Sequence, residues 1–277
     1  MQVKVLFVFF LSFYCIQAAA NHPLILARAP QLSPSVTSKT WSPFVNYLNK
    51  QTQHEIVLKT YANRTDFEND IKAGNVDLYF GNPGYGVVGH LLHGYLPLIR
   101  SDKKLLKGII VVKKDSQIND IQQLNGKVIA FPDKTAFAAS LYIRSRIASD
   151  FNINYQPLYT GSHDNNYRTV AIGKAAAGGG GVKRTLEREN IKLREQLKII
   201  YTTPGMKPHP LMASPDIPLA LRTSIQEAIL NLNKDTSGQK LLKSIKIQKP
   251  VIADYEKDYK PIESFATQMY HNLLNPK

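Results

Sequence analysis

One arrangement occurs three times in this chain and limits its fold more than any other feature: an apolar strand that leads directly into a polar turn and a helix. The clearest copy joins the apolar run Val128–Phe131 to the turn 132–135 and to a helix predicted to begin near Ala136. The other two copies carry their turns at 81–86 and 160–164. The first amides of a helix lack intrahelical partners and lie at the positive end of its dipole. Each turn is therefore predicted to form an anion-binding position.

Short apolar strands alternate with helical patterns along most of the sequence, which predicts an α/β fold. A chain of 277 residues is long enough for two lobes that each have a core. We predict that each lobe is a mixed, mostly parallel sheet flanked by helices, with a ligand cleft between the lobes. The first lobe is predicted to comprise residues 21–106 and, after a return crossing, 206–277. The second lobe is predicted to comprise residues 107–205.

Four consecutive glycines follow a small-residue strand predicted at 175–177. They do not form a nucleotide-binding P-loop, because the Gly-Lys-Ser/Thr ending of that motif is missing. We interpret residues 178–181 as irregular backbone beside the cleft. The next segment, 182–196, is predicted to be one charged helix.

The first twenty residues differ in composition from the rest of the chain. Lys4 precedes an apolar run at 5–16, and the segment closes with three alanines that end at Ala20. This pattern is typical of a secretory signal peptide, whereas a membrane-spanning helix needs about 20 apolar residues. We predict that residues 1–20 are cleaved and that the protein is periplasmic. The one cysteine, Cys15, lies in this segment, so the predicted mature chain has neither disulfide nor thiolate.

The net charge is +14, and loss of Lys4 with the signal peptide lowers it by one, to +13. This balance favours anionic partners. The basic residues are scattered and no nucleic-acid-binding motif is present, so nucleic acid is not a predicted partner. His90 and His93 stand three positions apart on a predicted helix, but no third ligand is near them in the sequence. We predict no metal and no cofactor.

Three segments resemble a known family. The stretch 114–131, KDSQINDIQQLNGKVIAF, resembles type II periplasmic binding proteins. Segments 77–85 and 160–164 resemble the branch of ABC-transporter binding proteins that binds phosphate, phosphite or phosphonate. The resemblance extends over about 24–274. It implies a type II periplasmic binding fold whose two α/β lobes close on an oxyanion.

The resemblance also implies a set of ligand contacts. In that family a Ser-Thr-Ser run at a helix start holds the anion, with help from a tyrosine, a histidine and acidic residues. The run falls at 134–136, where only Thr135 keeps a hydroxyl, and backbone amides at 135–137 are expected to compensate. An aspartate of the family is replaced by Ala176, which disfavours ligands that carry an ammonium group. The implied ligand-binding residues are Tyr85, Lys134, Thr135, Ala136, His163 and Asp164.

The function implied by the resemblance is that of a periplasmic solute-binding protein, which captures a small oxyanion and delivers it to the permease of an ABC transporter. One alternative keeps the fold but reports the closed state to a membrane sensor kinase or receptor. A second alternative is a hydrolase that uses His163 and Asp164 as acid and base. The hydrolase lacks a nucleophile, because the mature chain has no cysteine and no Gly-x-Ser-x-Gly motif.

Overall fold

The computed structural model describes residues 22–102, 105–180 and 183–275. The strands are β1 (Leu24–Arg28), β2 (Ile56–Thr60), β3 (Leu78–Phe80), β4 (Leu96–Ser101), β5 (Ile109–Lys113), β6 (Val128–Phe131), β7 (Gln156–Tyr159), β8 (Ala177–Gly180), β9 (Leu197–Thr202), β10 (Pro210–Ala213) and β11 (Pro250–Ile252). The α-helices are α1 (Pro34–Thr52), α2 (Arg64–Ala73), α3 (Pro83–His93), α4 (Tyr142–Arg146), α5 (His163–Ala171), α6 (Lys183–Glu187), α7 (Ile191–Arg194), α8 (Leu219–Leu232), α9 (Thr236–Ser244), α10 (Tyr255–Asp258), α11 (Glu263–Met269) and α12 (His271–Leu274). Short 3-10 turns lie at Gln122–Leu124 and Lys260–Ile262, and π-helical turns at Phe137–Leu141 and Ile147–Phe151.

The first lobe is built on a sheet with the strand order β11-β4-β10-β3-β1-β2. β2, β1 and β3 run parallel, whereas β10, β4 and β11 pair antiparallel. Successive side chains of β1 point to opposite faces of the sheet. Leu24 and Leu26 join the core under α1, α8 and α9, while Ala27 joins the core under α2 and α3. Helices therefore cover both faces, which explains why β1 reads as a continuous apolar run.

The second lobe is built on a sheet with the strand order β7-β6-β8-β5-β9. β7, β6 and β8 run parallel, and β5 and β9 pair antiparallel. Ile110 of β5 packs with Ile143 of α4 on one face, and Val111 packs with Val170 of α5 on the other. Together the two sheets confirm the predicted α/β class with two lobes.

The glycine run forms the central strand of the second sheet, so the prediction of irregular backbone at 178–181 was wrong for its described part. Gly178 and Gly179 pair with β5 on one side, and Gly178 also pairs with β6 on the other. A Cβ at Gly178 would lie 2.9 Å from Val170, and one at Gly179 would lie 2.3 Å from the ring of Phe131. Neighbouring side chains pack directly on this backbone, so the strand needs residues without side chains.

Three strands of the first sheet were missed by the sequence patterns: β4, β10 and β11. β4 contains a proline, and β10 and β11 begin with one, which weakens the strand signal in the sequence. The single helix expected at 182–196 is also wrong. The described part of this segment holds the short helices α6 and α7, and α7 starts afresh at its own N-cap, Asn190.

Two chain segments connect the lobes. Leu106 on the outward segment and Met206 on the return segment exchange backbone hydrogen bonds of 2.8 and 2.9 Å, so the two segments pair antiparallel at this point. The predicted signal peptide, 1–20, lies outside the described residues. Among the described helices, none has the length and apolar character needed to cross a membrane.

The C-terminal helices α11 and α12 lie between the lobes. The ring of Phe265 contacts Phe137 and Tyr142 of the second lobe, with centroid distances of 5.8 and 4.8 Å. The ring of Tyr270 contacts Tyr85 of the first lobe at 4.9 Å. The end of the chain therefore packs against both lobes beside the gap that separates them.

Candidate functional site between the lobes

The first lobe contributes the turn between β3 and α3. Asn82 is the N-cap of α3, and its Oδ1 accepts a hydrogen bond of 3.1 Å from the amide of Tyr85. Pro83 occupies the first helical turn, where its missing N–H costs nothing. The Tyr85 carbonyl accepts a bond of 2.9 Å from the hydroxyl of Tyr79. These contacts fix Tyr85, which is fully buried, with its side chain directed toward α2.

The Tyr85 hydroxyl joins two charged side chains that lie one turn apart on α2. Arg64 Nη1 donates to Tyr85 Oη over 3.1 Å, and Tyr85 Oη donates to Glu68 Oε1 over 2.5 Å. Burial raises the pKa of Tyr85 far above its ordinary value, so this hydroxyl keeps its proton. Burial opposes the charge of Arg64, but Tyr85, Tyr270 and Glu68 outweigh it and raise the pKa of the guanidinium. Arg64 therefore stays cationic at the edge of the first lobe.

The second lobe contributes the turn between β6 and the π-helical segment. Thr135 donates both its amide, over 2.7 Å, and its hydroxyl, over 2.5 Å, to Asp133 Oδ1. The hydroxyl bond is the main cause that holds the pKa of Asp133 below its ordinary value, and the positive charge of Arg64 adds to it. Both donors of Thr135, which the resemblance assigns to a ligand, are thus occupied here by a carboxylate of the chain itself.

A cavity of about 160 Å³ lies between these two turns and the C-terminal helices. Its lining residues are Arg64, Glu68, Tyr85, Thr135, Leu141, Met269, Tyr270, Asn272 and Leu273. The structure therefore brings Tyr85 and Thr135 together, from different lobes, on one cavity. Lys134, Ala136, His163 and Asp164 are not among the lining residues.

The four remaining predicted residues have other surroundings. Lys134 is exposed, while the carbonyl of Ala136 accepts the amide of Ser140 over 2.8 Å. His163 is the first residue of α5; burial lowers its pKa, and its Nδ1 is buried without a hydrogen-bond partner among the described atoms. Asp164 is exposed beside it. His163 therefore has an unused polar atom but no place on the cavity wall.

Sequence reasoning missed Arg64, Glu68 and Tyr270. The available signal for the first two was a further strand-to-helix connection, from β2 to α2, which ends at the same edge of the sheet as the connection after β3. Tyr270 carried no such signal, because it lies between α11 and α12, far away in the sequence. Its hydroxyl accepts a bond of 3.0 Å from Asn82 Nδ2, and its ring covers Gly84, where an added Cβ would lie 2.4 Å from Tyr270.

The two histidines of α3 are each bonded to a backbone carbonyl. His90 Nδ1 lies 2.9 Å from the oxygen of Tyr95, and His93 Nε2 lies 2.8 Å from that of Lys72. Across the part of the chain that the structure describes, no group of three or more His, Cys, Asp or Glu side chains is arranged to hold a metal ion.

Two α/β lobes, two connecting segments and a small cavity between the lobes define a two-lobed binding protein. The chain belongs to the family described as ABC transporter, phosphonate, periplasmic substrate-binding protein, whose sequence model matches residues 26–259. Members of this family are substrate-binding proteins and not enzymes. The predicted family and the type II periplasmic binding fold are confirmed.

Several known proteins are similar to this chain. It is 24% identical over 172 residues to the phosphate-import protein PhnD of Mycolicibacterium smegmatis, and this match spans 56% of the chain and about half, 54%, of that relative. The structure of PhnD1 from Prochlorococcus marinus in complex with methylphosphonate has a TM-score of 0.69 at 21% identity, covering 89% of this chain and 98% of that one. A binding component of an ABC phosphonate transporter from Pseudomonas aeruginosa has a TM-score of 0.63 at 14% identity, covering 92% and 90%. At such identities the two structures establish the fold alone.

Proposed function

We propose that this protein captures a small oxyanion, of the phosphate, phosphite or phosphonate type, in the cavity between its lobes and delivers it to the permease of an ABC transporter. The observation that carries the proposal is the meeting of Arg64 and Tyr85 from the first lobe with Thr135 from the second on one cavity. A ligand held by both lobes stabilises the closed arrangement, which a permease can recognise.

Arg64 is the principal anion-binding group in this proposal. A guanidinium has five N–H donors, and Arg64 uses one of them on Tyr85, so the others are available to oxygens of a ligand. Glu68 lies on the same wall and limits the positive charge of the site. We therefore expect binding to depend on directed hydrogen bonds from Arg64 and Thr135 more than on net charge.

The volume of the cavity supports a small ligand. About 160 Å³ corresponds to roughly five water molecules in the liquid and lies below the roughly 300–1,000 Å³ of sites for drug-sized compounds. The oxyanion replaces Asp133 as the acceptor for Thr135 when it binds. Lys134, Ala136, His163 and Asp164 stay proposed contacts at the rim, and His163 Nδ1 is the polar atom there that lacks a partner.

Calorimetric titration with phosphate, phosphite, methylphosphonate and sulfate tests the proposal. Loss of a hydrogen bond to a charged group costs about 1.5–3 kcal/mol, so Arg64→Met should weaken binding roughly 10- to 100-fold. Thr135→Asp, which adds a carboxylate at the anion position, should abolish binding. The matched control is Arg188→Met, which removes the same charge from an exposed position that does not line the cavity. Equal affinities in all four proteins would refute the assigned site.

We further propose that residues 1–20 are a signal peptide, that the mature protein is periplasmic, and that the lobes comprise 21–106 with 206–277 and 107–205. The two sheets, whose strands fall within these ranges, support the division into lobes. Intact mass measurement of the protein from a periplasmic extract should give a chain that begins at Asn21. A mass that includes the first twenty residues would contradict the cleavage.

A further inference from the structure

A second group of basic side chains lies at the carboxyl end of β1, on the face of the first sheet opposite to α2 and α3. Arg28 follows Leu26 by two positions and points to the same side, toward α1. Its side chain is 5% exposed, and its guanidinium lies 5.3 Å from the ring of Trp41 and 5.0 Å from that of Phe80. A charged group thus closes the edge of an apolar core.

Gln31 connects Arg28 to two further basic side chains. Its Oε1 accepts from Arg28 Nη2 over 3.0 Å and from Lys246 Nζ over 3.5 Å. Its Nε2 lies 3.3 Å from Nε2 of His209, the residue that precedes β10 at the end of the return crossing. One neutral amide oxygen therefore lies between two cations.

No carboxylate of the described residues contacts Arg28. Its other acceptors are the carbonyls of Ala29, at 2.6 Å, and Phe80, at 3.3 Å. Burial lowers the pKa of Arg28 to about 10, and burial together with the charges of Arg28 and Lys246 lowers the pKa of His209 to about 3. Helix α1 begins beside this group without an acidic residue in its first turn. A buried cation is costly unless a counter-charge accompanies it, and among the described residues no carboxylate accompanies the Arg28 guanidinium.

A cavity of about 20 Å³ lies between Arg28, Lys246 and the first turns of α1. It has room for one particle of about the size of a water molecule. We propose that this cavity is a binding site for a monatomic anion such as chloride, held by Arg28 and Lys246. Gln31 turns its amide so that the NH₂ group faces the ion, and the ion fixes the return crossing to the first lobe through the Gln31–His209 contact.

Thermal unfolding in sodium chloride or bromide, compared with sodium gluconate at the same ionic strength, tests the site, because gluconate is too large for the cavity. The melting temperature should rise with halide and saturate, by about 4 °C when the halide reaches ten times its Kd. In crystals grown with bromide, an anomalous peak should lie between Arg28 and Lys246. Identical melting curves in halide and gluconate, or a bromide peak only elsewhere, would overturn the proposal, and a water molecule in the cavity in the presence of bromide would do the same.

Two variants and a control separate this site from general salt effects. Gln31→Glu places a carboxylate of the chain between the two cations, so it should raise the melting temperature in gluconate and remove the response to halide. Arg28→Met should also remove the response, and if this variant fails to fold, Gln31→Glu alone decides. Arg188→Met should keep the full response. A halide response that survives in Gln31→Glu contradicts the site, whatever the oxyanion titrations of the interlobe cavity show.

Discussion

The two turns that face each other across the interlobe cavity share a local design but are filled in different ways. Each turn follows a strand from the parallel part of its sheet and leads into a helical segment. The turn of the first lobe, at Asn82 and Gly84, is covered by the ring of Tyr270 from the C-terminal helices. The turn of the second lobe is filled by the carboxylate of Asp133, which accepts both donors of Thr135.

This difference shows that a strand-to-helix turn does not by itself make a ligand site. The neighbours decide whether the donors are available. At the first lobe an apolar ring must move before anything else can reach Gly84. At the second lobe the donors of Thr135 are held by an exposed carboxylate, which in the proposed function exchanges with an incoming oxyanion. The first turn is therefore closed by packing, and the second by hydrogen bonds to a carboxylate.

The largest expected effect concerns the packing of Tyr270. Tyr270→Ala removes a ring that is 6% exposed and should lower the free energy of unfolding by about 3–5 kcal/mol. Tyr270→Phe keeps the ring and loses the hydroxyl with its bond to Asn82, and such a bond is worth about 0.5–1.5 kcal/mol. Urea unfolding of both variants measures the two costs. Equal losses would show that the hydrogen bond, and not packing, closes the first turn.

A smaller effect is expected at Gly84. In Gly84→Ala the new Cβ would lie 2.4 Å from Tyr270 and 3.0 Å from Phe137, so the rings must shift, at a cost of about 1–3 kcal/mol. The double variant Gly84→Ala with Tyr270→Ala provides the control. Because the main clash is then absent, the double variant should lose less stability than the sum of the single variants. If the loss in the double variant equalled the sum of the two single losses, the cost of Gly84→Ala would not come from its clash with Tyr270.

The smallest effect is expected at Asp133, and it should depend on pH. The folded-state pKa of Asp133 is lowered, so its contribution is present above its unfolded pKa of about 3.9 and is lost as pH falls through the folded value. Asp133→Asn should cost about 1 kcal/mol or less at pH 7, and the difference from the wild type should shrink below pH 4. Melting temperatures from pH 7 to pH 2.5 check this. If the melting temperatures of the wild type and of Asp133→Asn differed by the same amount at every pH, the charged form of Asp133 would not be the acceptor that stabilises this turn.

Much of the fold was predictable because local patterns and long-range packing agree. Val128–Phe131 is apolar and bounded by turns, and Gly74, with a φ of 71°, ends α2 as expected for a left-handed C-cap. β8 was predictable only in part. In the sequence, the consecutive glycines Gly178 and Gly179 indicate a loop. In the structure they form a strand, and Phe131 and Val170 pack so closely on it that these positions have no room for side chains.

The candidate site was predictable in the same partial way. Tyr85 and Thr135 follow strands whose turns could be recognised, and both line the cavity. Arg64 lies after a further such strand, β2, but the sequence around it is that of an ordinary helix start. Tyr270 lies 185 positions after Tyr85, and no local pattern relates them, although their rings are 4.9 Å apart. Contacts of this kind depend on how separate helices and strands pack, so they produce no periodic pattern in the sequence.

The sequence by itself determined the α/β class and the strand-to-helix turns, because hydrophobic periodicity and turn chemistry act over a few neighbouring residues. The bond from Thr135 to Asp133 is also local, because the two residues are two positions apart. The family followed from the resemblance of segments 77–85, 114–131 and 160–164 to known binding proteins. The tertiary structure decided which of those turns face one cavity and that Gly84 is covered, because folding brings Tyr270 to it from a distant part of the chain.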